Sequence, residues 1–297
     1  MSVDISTIIV NYNAGDALYS CVDSLLNCLL EIEVIVVDNA STDSSLDALL
    51  GLPCVQIIKN PSNVGFAAAC NKGARIASAP FLLFLNPDCL FKPGTLVSLL
   101  EAMRVDERVG MVGGLLVNSD GTEQAGGRRA IPTPWRSFVR AFGLSRMGNL
   151  YPRLFSDFQL HLQPLPDCPI EIEAVSGSCM MVRHAAMEDV GLLDEGYFLH
   201  CEDLDWCMRF RQKEWKILFV PSARITHYKG LCSKGRHIFV EWHKHKGMLR
   251  FYRKFFRHQY PLALMWLVTT GVWFRFGMVT VNHGFSLIKD RIAHNSE

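Results

Sequence analysis

Short apolar runs and helix-spaced apolar residues alternate through the first third of the chain. Residues 5–10 (ISTIIV) are a strand-like run, and Leu18, Cys21, Val22, Leu25, Leu26 and Leu29 then recur at helical spacing. Residues 34–37 form a second run that ends on Asp38 and Asn39. Ser41 or Thr42 can cap a following helix that carries Leu46, Leu49 and Leu50. Residues 55–58 are a third run, and the polar turn Asn60-Pro61-Ser62-Asn63 leads into a small-residue helix over 65–77. FLLFL at 81–85 is the fourth. This β-α-β-α-β-α-β rhythm predicts a mostly parallel sheet with right-handed crossovers.

The fourth run organises the rest. Its five consecutive apolar residues, bounded by Pro80 and by Asn86-Pro87-Asp88, describe a strand buried on both faces that surfaces at an acid. Ligands bind beyond the carboxyl ends of strands in open α/β sheets, so Asp88 is placed to meet a metal or a sugar. The same triplet also suits an ordinary turn. The other strand exits collect polar residues too: Asn11, Asp38 and Asn63.

Pattern weakens over residues 119–170, which hold Gly126-Gly127, several prolines and Trp135. Such an irregular insertion suits a lid or a binding loop. It returns at 174–182, a strand containing Ser176-Gly177-Ser178, then a short helix over 185–190, then LLDEGYFLHCEDLDWCMRFRQKEW. Glu202, Asp203 and Asp205 open a helix whose later turns carry Arg209, Arg211 and Lys213, an arrangement that complements the helix dipole. One cap needs only one carboxylate, however. Crowded acids beside Trp206 make the surroundings in which a general base is tuned toward neutral pH. A short strand at 217–220 and a β-compatible stretch around Ile225 precede His227. With Asp88, that imidazole would make an O/N pair suited to Mn²⁺ or Mg²⁺.

Composition narrows the class. The chain has 297 residues, 49% of them hydrophobic, ample for one large core plus an appendage. Lys+Arg number 30 against 29 for Asp+Glu, which argues against a nucleic-acid partner. No G-x-G-x-x-G follows the first strand, which runs instead into Asn11-Tyr12-Asn13, so a dinucleotide cofactor lacks support. The 10 cysteines include no C-x-x-C pair and read as buried free thiols of a reducing compartment. The N-terminus lacks a positively charged n-region and reads as a first strand rather than a secretory signal.

The tail differs from what precedes it, dividing the chain into a domain over 1–235 and helices over 236–297. Between His227 and His258 stand nine Lys/Arg and a single acid, Glu241. Ile238, Trp242, Leu249, Tyr252 and Phe256 form a helical stripe, suited either to an anionic membrane surface or to packing on the catalytic domain. Residues 262–281 are then apolar or small except for Arg275, whose burial at a bilayer centre costs about 2.5–3.5 kcal/mol. The expectation is a cytoplasmic enzyme, peripherally attached to or shallowly inserted in the inner face of the cell membrane.

Taken together, TIIVNYN at 7–13, VDNASTD at 37–43, NVGFAAACNKG at 63–73, LNPD at 85–88, GSCMMVR at 177–183, GLLDEGYFLHCEDLDWCMR at 191–209 and ITHYKG at 225–230 resemble the inverting glycosyltransferases of family 2. Within that family the rhamnosyltransferase-like branch is the most similar. The resemblance covers roughly 5–232 and implies a GT-A fold, a nucleotide-sugar donor, a divalent metal (Mn²⁺ or Mg²⁺) and a glycan or lipid-linked acceptor. By resemblance, Asp38 binds the nucleotide base, Asn11 lines its pocket, and Asn63 with Gly65 and Asn71 with Gly73 form the donor-side segment. Asp88 matches the last acid of the D-x-D motif and His227 a metal- or diphosphate-holding histidine. Asp203 matches the catalytic base, with Glu202 and Trp206 shaping the acceptor side. Asn86 replaces the first acid of D-x-D, which removes a charge from the metal edge. The resemblance favours dTDP-L-rhamnose as donor; the alternatives are a UDP- or GDP-sugar, or a sugar nucleotidyltransferase, which would need a glycine-rich basic loop that is absent after the first strand. A non-catalytic nucleotide-binding scaffold would leave the acids at 202–205 with only a capping role.

Overall fold

The computed structural model describes residues 3–294 apart from 29, 142, 145–146, 148–150, 152–157 and 231–235. Leu29, Cys232 and Lys234 therefore lie outside the described residues. The chain divides into two compact units, one comprising Met1–Ile131 with Asp157–Lys234 and the other Pro132–Ser156 with Gly235–Glu297.

The first unit is built on a nine-stranded mixed sheet. Strands β1 (Ile5–Asn11), β2 (Ile32–Asp38), β3 (Val55–Lys59) and β4 (Phe81–Leu85) run parallel in the order β3-β2-β1-β4. The remaining strands are β5 (Cys89–Phe91), β6 (Val109–Val117), β7 (Arg128–Arg129), β8 (Ile170–Glu171), β9 (Ala174–Val175), β10 (Cys179–Arg183) and β11 (Lys216–His227). β10 enters antiparallel between β4 and β6; β11 follows β6 in parallel, and β5 and β8 pair antiparallel with β11. β7 and β9 form a separate two-stranded ladder. β4 is a central strand, paired with β1 and β10 along its edges, and what packs on either side of the sheet buries both its faces, so all five of its residues are apolar and buried.

Helices cover both faces. Leu18, Val22 and Leu25 of α1 (Asp16–Leu26) and Leu96, Leu99 and Met103 of α3 (Thr95–Arg104) join Ile9, Val36, Leu83 and Val112 in one core. On the opposite face α2 (Phe66–Ala74) lies so close to β1 that a Cβ on Gly73 would stand 2.6 Å from Ile8 Cγ2. Gly73 is thus required for helix–sheet contact. Gly65, at φ 89°, is the donor-side glycine with a close backbone neighbour: its Cβ would meet the Phe198 carbonyl oxygen at 2.7 Å.

Three expectations change. The helix expected to carry Leu46, Leu49 and Leu50 is only a 3₁₀ turn over Asp47–Leu49. The preceding side chains are spent stitching the β2 exit to the β1 exit: Ser41 Oγ accepts from Asn13 N (3.0 Å), Asp43 Oδ2 from Gly15 N (2.9 Å) and Asn13 Oδ1 from Thr42 N (2.7 Å). The strand expected over 174–182 is broken at 176–178 into β9 and β10. Conversely, 217–220 and the stretch near Ile225 belong to one strand, β11, with an irregularity between Val220 and Arg224 that accommodates Pro221. All nine described cysteines are free, but Cys54 and Cys168 are exposed rather than buried.

The second unit contains α4 (Pro134–Ala141) and two long helices, His237–Phe255 and Leu262–His294. Of the expected stripe, Leu249, Tyr252 and Phe256 are buried while Ile238 and Trp242 are exposed. Tyr252 Oη meets Ser137 Oγ at 2.6 Å.

Gly113 and Gly114 of β6 lie against the chain that passes over them: a Cβ on Gly113 would stand 2.6 Å from Val175 Cγ1, and one on Gly114 would collide with Ile225 Cδ1 and the Ala223 carbonyl. Gly114→Ala meets backbone, which cannot turn aside, so the substitution should lower stability by about 1–3 kcal/mol. Urea unfolding checks this; an unchanged midpoint would show that the β11 irregularity tolerates the methyl.

Candidate active site

Asn11 and Asp38 end adjacent parallel strands in register, and Asn11 Nδ2 donates to Asp38 Oδ1 at 2.8 Å and to Ser45 Oγ at 2.8 Å. Asp38 Oδ2 accepts from Ser41 N at 3.1 Å. Asn11 is fully buried and its Oδ1 has no hydrogen-bond partner among the described residues. Asn63 Oδ1 accepts from Gly65 N at 3.0 Å, an Asx turn that shapes the entry to α2. The Asn71 amide is engaged in the fold itself, donating to the Leu193 carbonyl at 2.9 Å and accepting from Leu193 N at 3.0 Å.

The second cluster forms because β5 pairs with β11 so that Cys89 faces His227. Asp88, one residue earlier, then presents Oδ1 to His227 Nε2 at 3.2 Å, both groups buried. The other ring nitrogen is committed: His227 Nδ1 lies 2.6 Å from Gln124 Oε1, while Gln124 Nε2 donates to the His227 carbonyl at 3.1 Å and to Asn118 Oδ1 at 3.0 Å. An amide oxygen only accepts, so Nδ1 carries a proton, and in the neutral tautomer this selects, the Nε2 lone pair faces the carboxylate. In that tautomer two acceptors confront each other, and Asp88 Oδ1 has no hydrogen-bond partner among the described residues. A cation resolves that arrangement, so the pair fits a divalent metal held by one carboxylate oxygen and one imidazole nitrogen. Cys89 also lies within reach. However, burial holds its thiol well above the ordinary range and its Sγ donates to the Ser178 carbonyl at 3.4 Å, so it is a poor ligand. Asn86 does not bind Asp88; its amide lies 3.5 Å from His227 Nε2 and 3.3 Å from Ser178 Oγ.

The acids of the 202–212 helix divide into three roles. Asp205 is fully buried and pairs with Arg209 at 2.8 Å, while Arg209 also grips the carbonyls of Val190 (3.0 Å) and Leu192 (2.8 Å). Asp203 Oδ1 accepts from Leu204 N at 2.7 Å, and its Oδ2 accepts from Gly177 N at 3.0 Å and from Arg129. Burial pushes the Asp203 carboxyl up, but the Arg129 guanidinium with the Gly177 and Leu204 amides outweighs it and holds the group below the ordinary range. Glu202 moves the opposite way: burial first, then the Asp203 charge, push it well above a usual glutamate, and its Oε2 has no hydrogen-bond partner among the described residues. Trp206, expected on the acceptor side, is a core residue. Its ring is fully buried, edge-on to Phe84 at 5.1 Å and to Phe210 at 5.4 Å, and its Nε1 donates to the Gly191 carbonyl at 2.8 Å.

One short loop joins the two reacting edges. In Ser176-Gly177-Ser178, the Gly177 amide holds Asp203 while the Ser178 carbonyl accepts from Asn86 N at 2.9 Å. Arg129 and Gln124 are residues that sequence reasoning passed over, and Ser178 was noted only as part of a motif. The only signal for the first two was the turn-rich stretch around Gly126-Gly127, whose partners lie 74 and 103 positions away.

A model of the Glycosyl transferase family 2 family matches residues 6–191. The chain belongs to glycosyltransferase family 2. The matched span of this family 2 enzyme carries Asn11, Asp38 and Asp88 and stops before Glu202, Asp203 and His227. The N-acetylglucosaminyl-diphospho-decaprenol L-rhamnosyltransferase of Mycobacterium tuberculosis (strain CDC 1551 / Oshkosh) is 30% identical over 233 residues, 74% of each chain. The mannosyltransferase PcManGT of Pyrobaculum calidifontis, solved with GDP-Man and Mn²⁺, has a TM-score of 0.58 at 15% identity over 86% of this chain and 65% of its own. GalNAc-T7, solved with UDP, GalNAc and Mn²⁺, has a TM-score of 0.58 at 19% identity over 76% of this chain and 44% of its own. At such identities the likeness is one of fold, which is GT-A: a mixed, mostly parallel sheet flanked by helices.

Removing Gln124's acceptor by Gln124→Leu should release the ring of His227 to populate both neutral tautomers. ¹⁵N imidazole shifts of the metal-free protein report this directly; a single Nδ1–H tautomer persisting in the variant would mean that something other than Gln124 orients the ring.

Proposed function

We propose that this family 2 glycosyltransferase moves a sugar, with inversion, from a nucleotide-diphosphate donor to a hydroxyl of a glycan or lipid-linked acceptor, and that the donor is dTDP-L-rhamnose. The observation that carries the reading is the 176–178 loop, which ties a buried carboxylate, Asp203, to a strand edge where Asp88 and His227 leave an unmet demand for positive charge. Transfer needs both: an acceptor O–H must lose its proton while the bond from the anomeric carbon to the diphosphate breaks on the opposite face. The donor sugar rests on the rhamnosyltransferase relative, whose name specifies L-rhamnose and a diphospho-decaprenol acceptor. UDP- or GDP-sugars remain the second donor class, in view of the fold neighbours solved with UDP and GDP-Man.

In this reading Asn11 and Asp38 receive the nucleoside, the Asn63–Gly65 turn lines the donor side, and Asn86 offers an amide to the ribose or the diphosphate. Asp88 and His227 would hold Mn²⁺ or Mg²⁺, whose chemistry is to stabilise the negative charge of the departing diphosphate. Asp203 accepts the proton of the attacking hydroxyl, the acceptor oxygen bonds to the anomeric carbon, and the electron pair of the broken C–O bond leaves with the diphosphate. Glu202 offers its unpartnered Oε2 to the incoming hydroxyl. The catalytic domain is read as residues 1–235, and the tail as helices that keep the enzyme at the inner, cytoplasmic face of a membrane.

Asp203→Asn should reduce turnover by about 10²–10⁴-fold with nucleotide binding retained; near wild-type turnover would remove Asp203 from the base role. Arg129 lowers the Asp203 pKa, so the ionised base persists to lower pH with Arg129 than without it. In Arg129→Gln the acidic limb of the kcat/KM profile should therefore shift to higher pH. An unmoved limb would separate Arg129 from the titrating group.

A further inference from the structure

Leu262–Phe285 is long and apolar enough to cross a membrane, its 24 residues rising roughly 36 Å as a helix. Length does not distinguish crossing a bilayer from lying on it; the neighbours of the helix do. The 237–255 helix packs antiparallel along it: the His237 and His283 rings stack at 4.5 Å, Trp242 lies 5.1 Å from Trp273 and 5.6 Å from Phe276, and His245 lies 5.5 Å from Phe276. A crossing segment would carry this partner with it, and the partner bears Glu241, Lys244, Lys246, Arg250, Arg253 and Lys254. Charges at membrane depth are unfavourable unless they face a polar interior, and Lys246, Arg253 and Lys254 are exposed.

The exposed residues of the long helix sort by face. Leu262, Trp266, Phe274, Met278, Val281 and Phe285 are all exposed and follow one another at spacings of three, four or eight, so they form a single apolar row along one side. Arg275 is also exposed and lies one residue, about 100° of helical turn, from Phe274, at the margin of that row. Trp273, Phe276 and His283 face the partner helix instead. A membrane-spanning helix must be apolar or covered all round, whereas one lying in the interface needs an apolar row on one side only.

The partner helix supplies the complementary charge. Its exposed Ile238 and Trp242 lead, at four-residue steps, to exposed Lys246, and exposed Arg253 continues the same side. Apolar side chains at one end and cations at the other suit the boundary between acyl chains and anionic headgroups.

We propose that the two helices form a hairpin lying in the plane of an anionic membrane surface, with the row from Leu262 to Phe285 immersed at the acyl boundary and no segment of the hairpin crossing the bilayer. This deepens the membrane reading given above and rests on it.

Flotation of the full-length protein with vesicles of phosphatidylcholine, with or without phosphatidylglycerol, tests the partner. Binding should be at least about tenfold tighter to the anionic vesicles and weakened by salt, since each basic residue near the surface contributes roughly fivefold. Trp266→Glu combined with Phe274→Glu should abolish it. Absence of binding to either vesicle would overturn the membrane reading itself. Orientation is read separately, from membranes of expressing cells carrying the protein with a tag at each end. Protease should remove both tags from the same side of sealed vesicles; tags cleaved from opposite sides would overturn the in-plane hairpin while leaving membrane association standing. Quenching of Trp266, taken as wild type minus Trp266→Phe, should be stronger with lipids brominated near the headgroup than near the chain end. The reverse would show a hairpin that dips into the bilayer and would equally overturn the proposal.

Discussion

Asp88 Oδ1 and His227 Nε2 face each other, buried, 3.2 Å apart at the carboxyl edge of the sheet, and with the ring in its Nδ1–H tautomer both are acceptors. Folding brings them there at a cost, because a buried carboxylate oxygen without a donor is unfavourable by itself. Much of the surrounding architecture enforces this arrangement. The β5–β11 pairing fixes the register, the irregularity after Val220 lets β11 pass over Gly114, and Gln124 holds the proton on the far nitrogen. A structure that maintains two acceptors in contact is organised to receive positive charge between them.

The same edge is coupled to the acids of the 202–212 helix by a loop of small residues. Gly177 comes close enough to Asp203 that a Cβ would stand 3.3 Å from the aspartate Cβ, and Ser178 binds Asn86 through both side chain and carbonyl. Adjacent carboxyls are driven apart in proton affinity by their partners: Asp203 is held down by Arg129, and Glu202 is pushed up by burial and by its neighbour's charge. Asp205 stands aside from this chemistry, fixing the helix to the segment before it through Arg209.

How much of this was legible in the chain depended on how local its cause was. FLLFLNPD announced a central strand ending at an acid because burial on both faces writes a continuous apolar run, and the polar strand exits Asn11 and Asp38 could be placed by alternation alone. The helix expected near Leu46 failed because Ser41, Asp43 and Ser45 bond across to the β1 exit, a competition that apolar spacing does not register. The resemblance placed Trp206 on the acceptor side, yet three buried contacts decide its role as a core residue. Arg129 and Gln124 were silent because their partners, Asp203 and His227, are distant in sequence and reach them only through the folded sheet and its insertion.

The central claim is that Asp88 and His227 form a divalent-cation site at the donor edge. Titrating the protein with Mn²⁺ while following the free-ion electron paramagnetic resonance signal, for wild type and for His227→Ala, tests it without recourse to turnover. The account predicts saturable loss of the free signal in wild type, strengthened by a nucleoside diphosphate, and affinity at least about tenfold weaker in the variant. Equal Mn²⁺ binding by the two proteins, or none by wild type even with the nucleotide present, would contradict it.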